Sequence, residues 1–309
     1  MITTVTLNPA IDKTLSIEHF EVNKVNRVKT IHESLGGKGI NVARVLNTLG
    51  SISTAIGFIG EKNLNRILSF NTQEALSTNF VSVDADTRTN TKIIDPVTQN
   101  TTDINEPGFE VSAKHIDQIK MLIQRYSAQS SFIVFSGSVC KGISSKTFTQ
   151  LLKSVNPSCK LVLDAEGEML KAGLSASPYL IKPNIHELRS LLNQKLSTQD
   201  EIIQACQKLI KTHSIEHILF SMGEEGSMLV SKDSTLKANA LKTKVVSTVG
   251  AGDSMLAGYI HAYLKTKNQS EALRYAATSG SIAVMGIGLD AFKTTKVEDH
   301  LKHIHVSQL

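Results

Sequence analysis

The sequence predicts an α/β protein with a mostly parallel central sheet and helices on both of its faces. Three observations carry that expectation. Short apolar runs at residues 131–135, 160–163, 179–181 and 217–220 alternate with helix-like stretches, the rhythm of strands joined by crossover helices. Glycine-rich turns at 36–39 and 250–252 stand directly before stretches of helical periodicity. A length of 309 residues with 41% hydrophobic and 20% charged content suits one large domain with a substantial core, and argues against disorder or two equal domains.

In chain order, Met1-Ile2-Thr3-Thr4-Val5-Thr6-Leu7 reads as a first buried strand, because no basic region precedes a long apolar segment as a signal peptide requires. Regions 11–35 and 80–106 break the rhythm, with alternating strands and polar turns and no helix between them. They are expected to pair as a small sheet inserted into a single domain spanning 1–309, since no repeat or proline-rich linker divides the chain. The longest uncharged apolar stretches, such as 281–289, are far too short to cross a bilayer. Cys140, Cys159 and Cys206 are widely spaced and form no Cys-x-x-Cys pair, which favours reduced core thiols and a cytoplasmic location.

The formal net charge is +5, yet Lys and Arg are interleaved with acids and never form a long run. No basic-aromatic alternation marks a base-stacking platform. A small anionic ligand therefore fits the surplus better than nucleic acid or a membrane.

Thr248-Val249-Gly250-Ala251-Gly252-Asp253-Ser254 places a carboxylate where a glycine turn becomes a helix with Met255, Leu256, Tyr259 and Ile260 on a buried face. The amides of Gly250, Ala251 and Gly252 could form an anion hole with Asp253 as a base. Alternatively, Asp253 is only a helix cap. Its place at a helix N-terminus predicts a lowered pKa. Gly36-Gly37-Lys38-Gly39-Ile40-Asn41 precedes a second helix, and Lys38 and Asn41 suit a phosphate or sugar hydroxyl, or else a tight turn with a solvated lysine. In Lys182-Pro183-Asn184-Ile185-His186-Glu187 the Asn184 and Glu187 oxygens could hold magnesium through water, or cap a helix. No Gly-x-x-x-x-Gly-Lys-Ser/Thr is present, which excludes a P-loop kinase, and the glycines at 286–288 read as a helix stop.

Taken together, these segments resemble the ribokinase-type (PfkB) carbohydrate kinases over essentially the whole chain. Gly36-Gly37-Lys38-Gly39-Ile40-Asn41-Val42-Ala43 and the 248–254 segment look like the family's two signatures, and Asn184-x-x-Glu187 looks like its magnesium-associated motif. Thr6-Leu7-Asn8-Pro9-Ala10-Ile11-Asp12, Val25-Asn26-Arg27, Thr87-Arg88 and Asp103-Ile104-Asn105-Glu106-Pro107-Gly108 are similar to the branch acting on ketohexose monophosphates such as fructose 1-phosphate and tagatose 6-phosphate. The resemblance implies a ribokinase-like three-layer sandwich whose small sheet is a lid over the sugar, and through that lid two subunits could pair as a homodimer. It also implies ATP and Mg2+. Asp12 would hold sugar hydroxyls and Gly37, Lys38, Asn41, Arg88 and Arg27 would line the substrate side, with the three cations on its phosphate. Lys182, Asn184, Ser221, Gly223 and Gly226 would lie along the nucleotide, and Asn184 and Glu187 near the metal. Ser136-Gly137-Ser138 is similar to a loop beneath the substrate. Where relatives continue Gly57-Phe58-Ile59-Gly60 with further glycine, this chain has Glu61-Lys62-Asn63-Leu64-Asn65. A sugar-phosphate or nucleotide sensor without turnover is the alternative of another class, and a nicotinamide enzyme a third.

Overall fold

The computed structural model describes residues 1–74 and 76–309, with backbone alone for 71–74. Its first seven strands are β1 (Ile2–Thr6), β2 (Ala10–Ser16), β3 (Thr30–Gly36), β4 (Ser53–Gly60), β5 (Ser77–Val83), β6 (Arg88–Ile94) and β7 (Thr101–Asn105). The remaining strands are β8 (Phe132–Ser136), β9 (Lys160–Asp164), β10 (Leu180–Ile181), β11 (His217–Ser221), β12 (Ser227–Ser231), β13 (Thr235–Ala238) and β14 (Val306–Gln308). Ten of them form one sheet in the order β14-β13-β12-β11-β10-β9-β8-β1-β4-β5, parallel from β5 through β11 and antiparallel beyond. The chain winds outward from β1 in both directions, so β1 is the switch point beside which a crevice opens at the carboxyl ends of the strands.

Two apolar layers hold this sheet, and strand alternation sorts residues between them. Ile133, Phe135, Leu161, Leu163, Ile218 and Phe220 pack on one face. Phe132, Val134, Val162 and Leu219 pack on the other, against the helices Lys38–Thr48, Ala251–Thr266 and Gln269–Ala283. A side-chain period of two in strands covered on both sides explains why these runs are continuously apolar in sequence. At Gly57, φ is +152° and a Cβ would lie 1.9 Å from the Thr6 carbonyl oxygen, so only glycine lets β4 close on β1 here. All three cysteines are free and buried. No helix among the described residues is long and apolar enough to cross a membrane.

A second sheet, in the order β3-β2-β6-β7, stands apart from the ten-stranded one. Residues 80–83 do not belong to it, because they finish β5 on the edge of the large sheet. An edge strand with one neighbour is half covered, and the alternation of Ser77-Thr78-Asn79-Phe80-Val81-Ser82-Val83 therefore looks like that of a small exposed sheet. Cross-strand register divides the small sheet into two unlike faces. Asp12, Arg88, Asn90, Lys92 and Asp103 share one of them, and Ile11, Leu15, Ile31, Leu35, Ile93 and Ile104 share the other.

Candidate active site

Asp253 sits in the first turn of the helix Ala251–Thr266, whose N-cap is Gly250 at φ 78°. A glycine is suited to that left-handed position, and it turns the chain so that the helix start faces the crevice. Ser254 N–H donates to the Gly250 carbonyl at 2.8 Å, and Ala251 N–H turns back to Thr248 O at 3.4 Å. The first-turn amides of Gly252 and Asp253 have no intrahelical acceptor, which leaves them available to an anion in the crevice. The Asp253 side chain does not cap its own helix: its Oδ2 accepts from Asn41 Nδ2 at 2.9 Å.

The expectation of a lowered pKa at Asp253 is wrong. Burial pushes it up to about 6, and the neighbouring Asp164 carboxylate adds to the rise. Asn41, Lys38 and Lys182 pull in the opposite direction but do not win. The helix start is a favourable environment only for a charge that remains solvated or paired, and Asp253 is 6% exposed.

Asp164 is the principal acid that sequence reasoning missed. It closes β9, is buried, and accepts from Ser136 Oγ at 2.8 Å while pairing with Lys182 Nζ at 3.0 Å. Lys182 and Lys38 together hold its carboxyl below the usual carboxylate range despite burial. Its position was the available signal, since a carboxylate ending a fully apolar parallel strand lies at the ligand-binding edge of the sheet. Lys38 opens the helix Lys38–Thr48 after Gly37, which has φ 117°. Asp164 above all, and then Asp253, push the Lys38 pKa up. Lys38 thus belongs with the acids at the helix start, while the carboxylates that act on Arg88 are Asp12 and Glu106.

On the polar face of the small sheet, Asn90 Nδ2 donates to Asp12 Oδ1 at 3.2 Å. Burial raises the Asp12 pKa, while Asn90, Arg44, Arg88 and Lys92 restrain the rise. Arg88 is held by three main-chain carbonyls: Nε donates to Pro9 O, Nη2 to Asn8 O and Nη1 to Glu106 O. Asn8 Nδ2 in turn reaches Ser138 Oγ at 3.2 Å, tying the loop after β1 to the loop after β8. Arg27 is exposed on the β2–β3 connection, and among the described residues no hydrogen bond or ion pair fixes its guanidinium.

Asn184 and Glu187 form a reciprocal cap on the helix Ile185–Leu192. Asn184 Oδ1 accepts from His186 N and Glu187 N at 2.9 Å each, and Glu187 Oε2 accepts from Asn184 N at 2.9 Å. Ser221 bridges Asn184 in parallel, with Ser221 N–H donating to Pro183 O, which sets the two segments side by side. Gly223 and Gly226, at φ 60° and 96°, shape the turn from β11 into the antiparallel β12. A Cβ at Gly252 would lie 3.0 Å from Lys182 Nζ, so the helix start, Lys182 and the Asn184–Ser221 pair converge on one end of the crevice.

A switch-point crevice with a buried carboxylate at a helix start, two lysines beside it and a polar sheet across from it defines an α/β enzyme acting on an anionic small molecule. The chain belongs to the pfkB family of carbohydrate kinases, whose family pattern matches residues 5–296. It is 33% identical to the 1-phosphofructokinase of Haemophilus influenzae over 310 residues, covering 100% of this chain and 98% of that protein. It is 32% identical to the 1-phosphofructokinase of Bacillus subtilis, with both chains covered in full. Among solved structures, phosphofructokinase-2 from Escherichia coli in complex with substrates and products aligns with a TM-score of 0.90 at 26% identity, covering 97% of this chain and 99% of that one. The ribokinase-like architecture expected from the resemblance is thereby borne out.

Proposed function

We propose that this carbohydrate kinase transfers the γ-phosphoryl group of ATP to fructose 1-phosphate, giving fructose 1,6-bisphosphate. The observation that carries the reading is Asp253, buried and poised near pH 6 where the helix start, Asn41 and the Lys38–Asp164–Lys182 group meet. The full-length relatives named 1-phosphofructokinase support the choice of sugar.

In this reading Asp253 accepts the proton of the attacking hydroxyl, and its raised pKa makes it a stronger base than an ordinary carboxylate. Asn41 aims it through one hydrogen bond. Charge developing on the transferred group meets the Gly252 and Asp253 amides and the Lys38 ammonium. Asp12, oriented by Asn90, accepts from sugar hydroxyls, and Arg88 grips the phosphate already on the substrate. Ser221, Gly223, Gly226, Lys182 and Asn184 line the nucleotide end. Among the described residues no three His, Cys, Asp or Glu side chains gather into a cage for a metal. Magnesium carried on the triphosphate would need few protein ligands, and Glu187 and Asp164 are the carboxylates that would hold it, with Asn184 engaged in its cap. Bound there, magnesium would neutralise charge on the phosphates. Closure of the small sheet over the sugar would exclude water that could otherwise take the phosphoryl group. A cytoplasmic location suits an enzyme using ATP and a sugar phosphate.

ADP release with Mg-ATP should be compared for fructose 1-phosphate, tagatose 6-phosphate, fructose 6-phosphate and fructose as kcat/KM. Preference for fructose 1-phosphate is expected. Preference for tagatose 6-phosphate would move the assignment to that sugar, and binding without turnover of any of them would make the protein a sensor.

A further inference from the structure

The segment Glu61-Lys62-Asn63-Leu64-Asn65 lies against the place where the chain crosses from the large sheet to the small one. Glu61 N–H donates to Val83 O at 2.9 Å and Lys62 N–H to Ala85 O at 3.1 Å. Gly60 N–H donates to Thr87 Oγ1 at 2.8 Å, and a Cβ on Gly60 would lie 2.2 Å from Thr87 N. Asn63 completes the contact with both ends of its amide. Its Oδ1 accepts from Thr87 N at 3.0 Å and its Nδ2 donates to Thr87 O at 2.9 Å.

An asparagine directly before a helix ordinarily turns its side chain onto the first-turn amides and stabilises the helix by about 1 kcal/mol. Asn63 precedes the helix Leu64–Glu74, and its carbonyl accepts from Arg66 N and Ile67 N as that position requires. Its side chain does not cap. Instead it brackets the backbone of Thr87, a buried residue whose neighbour is Arg88, the first residue of β6. With the Thr87 backbone gripped by Asn63 and its hydroxyl by Gly60, the Arg88 Cα has little freedom, and the guanidinium that hangs from it is aimed by three carbonyls.

We propose that Asn63 is a positioning residue for the substrate phosphate, acting through Thr87 on Arg88. The proposal rests on the assignment of Arg88 to that phosphate. A misplacement of about 1 Å can cost up to about 10²-fold where a charged fork must meet a phosphate.

The test is a cycle of Asn63→Ala, Arg88→Ala and the double variant, with KM measured separately for fructose 1-phosphate and ATP. Asn63→Ala should raise KM for the sugar phosphate by about 5- to 20-fold and leave KM for ATP within about twofold. In the Arg88→Ala background it should add little, because the residue it positions is gone. Asn63→Asp, nearly the same shape but with an oxygen facing Thr87 O, should behave like Asn63→Ala, and this keeps the test open if one variant folds poorly. Equal effects on both KM values, or fully additive effects with Arg88→Ala, would overturn the positioning role. If Arg88→Ala itself leaves KM for the sugar phosphate unchanged, the phosphate assignment fails first, and that outcome is read independently of Asn63.

Discussion

At the scale of single residues, the chemistry turns on the protonation of Asp253. Its carboxyl is pushed up from 3.8 to about 6, so the folded protein binds this proton more tightly than the unfolded chain does. Stability from the group is fully present below about pH 4 and is lost as pH rises through about 6, so the ionised carboxylate opposes folding at neutral pH. Asp253→Asn removes that cost and still offers an oxygen to Asn41. We expect kcat to fall by about 10² to 10⁴, while Tm at about pH 7.5 rises by about 2 to 6 °C. The gain in Tm should disappear by about pH 5, where the native carboxyl is itself protonated. A variant retaining more than about half the activity would remove Asp253 from the role of base. For the unaltered enzyme, kcat/KM for the sugar should rise on an acidic limb near pH 6, a profile that an Asp with its ordinary pKa would not give. The glycine-flanked acid was legible in the sequence because local turn chemistry announces it. Its pKa was not, because the shift comes first from burial that only the assembled sheet supplies and then from Asp164, 89 positions away in sequence.

Among the elements, the start of the helix Ile185–Leu192 is where one set of atoms is asked to do two things. Sequence alone offered a cap or a magnesium site, and the Asn184–Glu187 pair forms a complete reciprocal cap. A capping box uses one carboxylate oxygen and leaves the group's charge in place. Substitution can separate the two roles. Glu187→Gln keeps an oxygen for Asn184 N–H and loses only the charge, so Tm should move by less than about 2 °C. If Glu187 faces the metal, the magnesium concentration giving half-maximal rate should rise by about tenfold or more. Asn184→Ala should instead cost about 1 kcal/mol of stability through the lost cap. An unchanged magnesium dependence in Glu187→Gln would leave the cap as the whole function of that residue. The strands themselves were readable to within a residue, because β8, β9 and β11 are apolar on both faces and flanked by helical periodicity. The β5 edge was not, since one-sided coverage gives the large sheet's rim the same alternation as the small sheet.

For the whole molecule, the small sheet is the part whose purpose depends on what lies beyond one chain. Its polar face carries Asp12, Arg88 and Asn90 toward the candidate sugar site. Its other face begins against the core with Ile11 and Leu35 but continues outward to Ile31 and Ile104, which are 59% and 55% exposed. Val22 and Val25, on the β2–β3 connection, are exposed further still. Apolar side chains gathered on an outer sheet face are a contact surface in search of cover. The covering surface expected is the same sheet of a second copy, because a two-fold contact lets one apolar patch satisfy itself. Sedimentation of the intact protein should therefore give the mass of two chains, and the double variant Ile31→Lys, Ile104→Lys should give the mass of one. Because the polar face of the same four strands presents Asp12 and Arg88, loosening the outer face should raise KM for the sugar phosphate more than KM for ATP. A native protein that sediments as one chain would dismiss the dimer. A monomeric variant with unchanged KM for the sugar would show instead that the small sheet holds its substrate face without a partner.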